Sequence, residues 1–181
     1  ADLPRERARQ SDFQIYVVMA DPDQAQQARE RLAAAGLYGS RVAVHLADPA
    51  QVPYSKNFAN LVICSASLNQ DVSPGILKEA RRIQRPFGGQ LCWGSLDNLQ
   101  LETKDDLKGA GSWTHQYSDS TNTVNSKDEI VKGPLRMYWY RDVDFQIPNR
   151  HGQGPAPLVN RGVMVVGGLH GLCGLDAYNG H

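Results

Sequence analysis

The sequence has little cysteine, no excess of charge of either sign and no long apolar run, and each shortage excludes a class of protein. Among its 181 residues are three cysteines, Cys64, Cys92 and Cys173, which are too few and too widely spaced for a disulfide framework or a zinc site. Lys and Arg total 19, and so do Asp and Glu. The resulting net charge of zero gives no support to a nucleic-acid partner or to an anionic membrane surface. No stretch approaches the roughly 18 apolar residues of a membrane span.

Signatures of covalent or metal catalysis are also missing, since no nucleophile-elbow, Walker or zincin pattern is present. The candidate general bases are His45, His115 and His151. His45 falls inside a strand-like run, which favours a structural role, and the surroundings of His115 favour packing or a backbone hydrogen bond. His151 and His170 are too far apart in sequence to suggest a metal pair. We therefore assign no catalytic residue and no metal ligand from the sequence.

What the chain does have is a regular alternation between residues 13 and 94. Short apolar runs alternate with segments of helical composition, and this predicts crossover units that build a parallel sheet with flanking helices. The predicted strands lie at 15–20, 41–46, 60–64 and 91–93, and the predicted helices lie at 24–35 and 76–84, with a short polar helix near 4–9.

An aspartate follows each of the first two predicted strands. Asp21 precedes Pro22 and the first long helix, and Asp48 precedes Pro49. Ligands of parallel sheets lie at the carboxyl ends of the strands, so both carboxylates could face a ligand there. The alternative is that Asp21 only caps its helix and that Asp48 only shapes a turn, as Asp before Pro commonly does. The polar loop 69–75 after the third strand is a further candidate wall of such a site.

The second half of the chain has a different character. Residues 99–111 are polar and end in Gly-Ala-Gly, which predicts a linker. Helical periodicity then disappears, and short aromatic or β-branched runs alternate with Gly, Asn and Pro, which predicts antiparallel strands. We expect these strands at 113–117, 135–140, 158–159, 162–166 and 172–176. The predicted organisation is an α/β domain at 1–98, a linker at 99–111 and an all-β segment at 112–181.

The first part resembles the seven-strand S-adenosylmethionine-dependent methyltransferases, which have a Rossmann-like fold. Four segments carry the resemblance in the order of that family: 17–21 with its helix, 42–48, 53–62, and the helix with its Pro-Phe-Gly-Gly turn at 79–89. The resemblance implies that S-adenosylmethionine is the cofactor, that Asp21 holds its ribose and that Asp48 approaches its adenine amine. The family often has Asp where Asn60 stands.

One departure from the family is more serious, because the family's first strand and its Gly-rich loop are absent. The resemblance then implies a pocket that lacks one wall. The missing strand lies mid-sheet in the family, between the strands that here precede Asp21 and Cys64. The remaining strands must either pair across the gap or leave open edges, and open edges favour self-association.

The second part resembles the start of a quinoprotein-type β-propeller. Trp113-Thr114-His115-Gln116-Tyr117 is similar to the entry segment of such propellers, and residues 156–180, which end in Leu-Asp-Ala-Tyr-Asn-Gly, are similar to one pyrroloquinoline-quinone-type repeat. One repeat cannot close a ring of about 4–8 blades. The combination resembles large bacterial proteins of planctomycete type, and we expect the chain to be a piece of such a protein. Pyrroloquinoline quinone would bind only a complete propeller, and propellers of this kind usually function outside the cytoplasm.

Three functions remain open from the sequence. The chain could be a methyltransferase-like domain that is not catalytically competent alone. It could be a non-catalytic binding module or scaffold of a quinoprotein-like protein, or a structural piece between domains. The expected fold class is α/β, with an incomplete Rossmann-like parallel sheet and flanking helices, followed by an antiparallel all-β partial propeller segment.

Overall fold

The computed structural model describes residues 3–68, 71–142, 145–147 and 154–181. His151 and the start of the candidate loop 69–75 lie outside these residues. The described chain forms two compact units: Ala1–Tyr54 with Val72–Ala80, and Ser55–Asp71 with Arg81–His181. No helix among the described residues has the length and apolar character needed to cross a membrane.

The first unit is a pair of parallel strands covered on one face by two helices. Its elements are α1 (Leu3–Gln10), β1 (Ile15–Met19), α2 (Pro22–Ala34) and β2 (Val42–Leu46). β1 and β2 pair in parallel from Ile15 opposite Val42 to Met19 opposite Leu46. This confirms the parallel crossover unit predicted from the alternation. The core of this unit is small and consists of Ala8, Ala25, Ala28, Leu32, Val42 and Val44, with Ile15, Val17, Met19 and Leu37 packed against it.

The opposite face of β1 and β2 carries aromatic rings. Tyr16 and His45 occupy neighbouring strands, and their ring centroids lie 6.3 Å apart. Tyr54 packs edge-on against Tyr16 at 5.7 Å and lies 5.4 Å from the His45 ring. Burial, and secondarily the nearby Tyr16 hydroxyl, raises the pKa of Tyr54 from 10.0 to about 12.

The second unit begins with a three-stranded sheet. β3 (Leu61–Ile63) and β4 (Gln90–Ser95) are parallel, and β5 (Asn98–Thr103) folds back antiparallel to β4. A short 3₁₀ helix, Ser65–Leu68, follows β3, and α3 (Pro74–Ile83) leads towards β4. Residues 99–103 were predicted to belong to a linker, and this part of the prediction is wrong. Their alternation of leucine with polar residues is the period of a strand, and the polar turn after Ser95 closes a hairpin.

The turn that joins α3 to β4 depends on a close backbone approach. A side chain at Gly89 would overlap the carbonyl oxygen of Arg85, so glycine is required there. The ammonium of Lys104 donates to two carbonyls near the end of α3, Arg81 O at 2.8 Å and, just past the helix, Gln84 O at 2.7 Å. The backbone amides of Asn57 and Ala59 donate to the carbonyls of Arg82 and Ile83. Lys104 also donates to the side chain of Asn57 at 3.1 Å. Burial lowers the pKa of Lys104.

The four parallel strands do not form one sheet. β1 pairs with β2, β3 pairs with β4, and within the described residues β1 and β3 belong to separate sheets.

The chain ends in an antiparallel meander of three strands: β6 (Leu158–Asn160), β7 (Val163–Gly167) and β8 (Leu172–Asp176). These confirm three of the predicted antiparallel strands. The predictions of strands at 113–117 and 135–140 are wrong, because neither range forms a strand in the part of the chain that the structure describes. Residues 113–117 contribute only isolated bridges, such as Trp113 to Val159. Residues 135–140 have no strand partner among the residues that the structure describes, and Leu135 and Met137 are exposed.

Side-chain hydrogen bonds order the irregular segment after residue 111. Asp119 accepts from the amides and hydroxyls of Thr121 and Thr123 at 2.7–3.3 Å. Asp128 accepts from the amides of Gly111, Ile130 and Val131 at 2.7–2.9 Å. Hydrogen bonds, chiefly from Thr123 and Thr121, hold the pKa of Asp119 well below its usual range. Local side-chain to backbone hydrogen bonds of this kind hold the segment 119–131 in turns.

Candidate functional site

Asp21 and Asp48 lie at the same edge of the β1–β2 pair. Met19 and Leu46 are paired in register at the ends of the two strands, and each aspartate follows its strand end by two positions. The amide of Ala47 donates to the carbonyl of Met19 at 3.0 Å, which extends the pairing past the strands. Both aspartates are exposed. The sequence therefore placed these two residues at the same carboxyl edge, as the structure has them.

Each carboxylate also has the local role that was the alternative in the sequence. Oδ1 of Asp21 accepts from the amides of Asp23 and Gln24 at 2.9 and 3.0 Å, and so caps α2. Oδ1 of Asp48 accepts from the amide of Ala50 at 2.8 Å and closes a tight turn. An ionised carboxylate has about four acceptor positions on its two oxygens. The cap uses Oδ1 of Asp21, and Oδ2 accepts a long hydrogen bond of 3.5 Å from the side-chain amide of Gln24. Because each oxygen has more than one acceptor position, a ligand hydroxyl or amine could still be accepted at Oδ2.

A pair of carboxylates just past adjacent parallel strands can accept hydrogen bonds from a polar ligand. Ionised carboxylates accept hydrogen bonds from vicinal hydroxyls and from exocyclic amines, and the carboxyl edge of an open α/β sheet is where nucleotide-type ligands bind. In the described residues no group of three or more His, Cys, Asp and Glu side chains could hold a metal ion. The arrangement thus offers two carboxylate acceptors at one carboxyl edge of a parallel strand pair.

The segment before β1 does not supply a glycine-rich backbone wall for a nucleotide-type ligand. The first glycine of the sequence is Gly36, and the residues before β1 form the polar helix α1. A glycine-rich loop lets the backbone approach a ligand closely, and α1 cannot do so. A shallow pocket near the end of β1 is lined by Met19 and by four residues of α2: Gln24, Gln27, Ala28 and Arg31.

The candidate bases do not join this aspartate pair into a catalytic constellation. His45 is half-buried in β2 and contacts Tyr16 and Tyr54, which agrees with the structural role favoured from the sequence. His115 is exposed in a turn, with Nδ1 2.9 Å from the Thr114 hydroxyl. His151 lies outside the described residues. Burial raises the pKa of Cys64, with a smaller contribution from Cys92, so this thiol is not an activated nucleophile.

A polar cluster that the sequence did not reveal lies in the second unit. Asp176, buried at the end of β8, forms an ion pair with Arg85 and accepts from the amide of Asn60 at 2.8 Å. Asn179 donates to Asn60 Oδ1 at 2.8 Å and to the carbonyl of Phe58 at 2.9 Å. The cluster fixes the last meander to the β3–β4–β5 sheet. The amide hydrogens of Asn60 make it a donor to Asp176, where a carboxylate would repel.

The fold is mixed α/β, with two aspartates just past the ends of a parallel strand pair. Comparison with solved structures finds a partial likeness to the 1.15 Å crystal structure of a Methanococcus maripaludis protein, provisionally assigned as an S-adenosyl-L-methionine-dependent methyltransferase. The two sequences are 28% identical, the TM-score is 0.43, and the match covers 49% of this chain and 40% of the other. The match thus spans two fifths of that protein's length. No family model matches the chain, and no curated protein matches it.

Proposed function

We propose that the first half of the chain is an S-adenosylmethionine-binding, methyltransferase-like module that binds its cofactor weakly and does not catalyse transfer alone. The observation that carries the proposal is the register of Met19 with Leu46, because it brings Asp21 and Asp48 to equivalent positions at one carboxyl edge.

In this proposal the two aspartates hold different parts of the cofactor. Asp21 accepts from the ribose hydroxyls and Asp48 accepts from the adenine amine, while the local cap and turn fix both carboxylates. When bound, S-adenosylmethionine supplies an activated methyl group to an acceptor that approaches in line, and the protein contributes positioning. No described residue before β1 offers a glycine-rich backbone wall for the methionine portion. We therefore expect a dissociation constant no tighter than about 1 mM.

The proposal is tested by titrating the ¹⁵N-labelled chain with S-adenosylmethionine and following amide chemical shifts. We expect saturable shifts centred on residues 20–24 and 47–50. Asp21→Asn retains a good helix cap but loses the charge that receives the ribose, and Asp48→Asn likewise retains a turn-forming side chain. Each variant should weaken binding by about tenfold, since a hydrogen bond to a charged group contributes about 1.5–3 kcal/mol.

Asp12→Asn, outside the strand ends, is the matched control and should bind as the parent chain does. Shifts spread evenly over the chain, or binding unchanged in both aspartate variants, would overturn the cofactor assignment. Micromolar affinity would overturn the incomplete-pocket part of the proposal.

A second candidate function rests on the meander of β6, β7 and β8. Three antiparallel strands that end in Leu-Asp-Ala-Tyr-Asn-Gly, with Trp113 bridged to β6, support a propeller-type recognition module. In this reading the α/β half is a scaffold, and pyrroloquinoline quinone would be a ligand of a complete ring of blades. The test of this second function is a titration of a longer chain that completes the ring with pyrroloquinoline quinone and calcium. An absorbance change there, together with no response of the present chain to S-adenosylmethionine, would favour it, and no absorbance change would overturn quinone binding.

A further inference from the structure

One face of the β3–β4–β5 sheet is apolar and exposed. Registered residues on neighbouring strands share a face, and the central row of this face is Ile63, Cys92 and Leu101. Leu61 and Leu99 extend the row on either side, and Leu96 lies at the adjoining hairpin turn. We call these six residues the apolar face. The exposed fractions of its leucine and isoleucine side chains run from 40% for Leu61 and Ile63 to 85% for Leu96.

The opposite face of the same sheet is covered. Leu91 is fully buried there, and Glu102 accepts from Arg81 at 2.8–3.1 Å. The guanidinium of Arg81 also lies 5.6 Å from the centre of the Trp93 ring. The end of α3 therefore covers one face of this sheet, and the other face is exposed to solvent.

We infer that the apolar face binds a second copy of this chain, face to face about a two-fold axis. Two sheets that pack face to face need apolar inner faces, and a two-fold axis makes one patch complementary to itself. The chain carries no net charge, so long-range repulsion between copies is absent.

The size of the apolar face agrees with this partner. A stable interface buries about 800 Å² on each partner, of which about 56–65% is non-polar. The five leucine and isoleucine side chains expose on the order of 500 Å² of apolar area, which is at the upper end for patches on monomeric proteins. Gln90 and Thr103 lie on this same face, and their side chains share a hydrogen bond of 3.1 Å. They would form part of the polar rim of the interface.

The inference is tested by sedimentation velocity of the full 181-residue chain over a range of concentrations. We expect a monomer–dimer equilibrium. Leu101→Glu places a charge in the central row of the apolar face and should weaken association by at least tenfold. Leu172→Glu is the matched control, because Leu172 is 79% exposed on β8 in a different sheet, and this variant should associate as the parent chain does.

A second measurement distinguishes face-to-face packing from pairing of sheet edges. Alkylation of Cys92, followed by mass spectrometry, should slow as protein concentration rises, whereas alkylation of Cys173 should not. If Leu101→Glu loses its circular dichroism signal, the milder Leu99→Gln replaces it. A chain that stays monomeric, a dimer broken by Leu172→Glu and not by the apolar-face variants, or a dimer with unchanged Cys92 alkylation would each overturn the inference. These outcomes do not depend on cofactor binding.

Discussion

Asn60 and Asp176, 116 positions apart in sequence, are joined by a hydrogen bond of 2.8 Å from the Asn60 amide to the Asp176 carboxylate. The same carboxylate pairs with Arg85. Asn60, just before β3, and Arg85 thus share one buried acceptor at the end of β8. This contact gives a physical reason for an asparagine at position 60, since a carboxylate there would face another carboxylate.

The first prediction concerns this contact. Asn60→Asp should reduce the free energy of unfolding by about 1–3 kcal/mol, because it removes a donor from a buried carboxylate and adds a like charge beside it. Urea denaturation followed by circular dichroism measures the change. Asn98→Asp in the exposed β4–β5 hairpin is the control and should change stability by less than about 0.5 kcal/mol. Equal effects of the two variants would contradict the role given to Asn60.

The second prediction compares a buried ion pair with an exposed one. Arg85→Ala leaves the Asp176 carboxylate buried without its cation and should cost about 3–5 kcal/mol. Arg161→Ala removes the pair with Asp106, whose side chains are 64% and 52% exposed, and should cost no more than about 1 kcal/mol. Both are measured by urea denaturation. If Arg161→Ala lowers the free energy of unfolding as much as Arg85→Ala does, burial does not determine how much an ion pair contributes to stability.

The third prediction separates the two roles of Asp21. Asp21→Ala removes the cap of α2 and should cost about 1 kcal/mol, whereas Asp21→Asn keeps a capping oxygen and should be near neutral. Thermal unfolding measures both. If Asp21→Asn is as destabilising as Asp21→Ala, the carboxylate charge itself stabilises the helix. Weaker binding of S-adenosylmethionine by Asp21→Asn would then include the effect of a less stable helix.

The fourth prediction is a pH dependence. The pKa of Tyr54 is raised from 10.0 to about 12, so the folded chain retains a proton that the unfolded chain releases. The stability that Tyr54 contributes is therefore complete below about pH 10 and is lost as the pH rises towards 12. Tyr54→Phe should flatten this alkaline loss in urea denaturation. Burial also raises the pKa of Tyr138 and Tyr178, so part of the loss should remain in the variant. An unchanged slope would contradict the assignment to Tyr54.

Local patterns were sufficient to predict most elements of the first hundred residues. The run from Ile15 to Met19 and the run from Val42 to Leu46 are apolar, bounded by turn residues and separated by a capped helix, and these features act over a few positions. The pairing of whole strands was not predictable in the same way. The partner of a strand depends on elements outside its own apolar run, so the periodicity within that run does not predict it.

The second half was harder to predict because strand-forming residues do not make a strand without a partner. Residues 135–140 have the composition of a strand, yet their backbone finds no ladder among the described residues. Leu99 to Thr103 have a weaker composition, yet they form β5, because a short turn places them beside β4. The cluster around Asp176 left no local signal either, because its members come from positions 60, 85, 176 and 179.

The composition of the core beneath β1 and β2 has a consequence for motion. Three of its six buried side chains are alanines, which bury little apolar area and contribute little free energy to holding the helices down. Small cores of this kind open at low energetic cost, so backbone amides in α1 and α2 should exchange with deuterium sooner than those around Leu91. The edge that presents Asp21 and Asp48 would then open more readily than the sheet around Leu91.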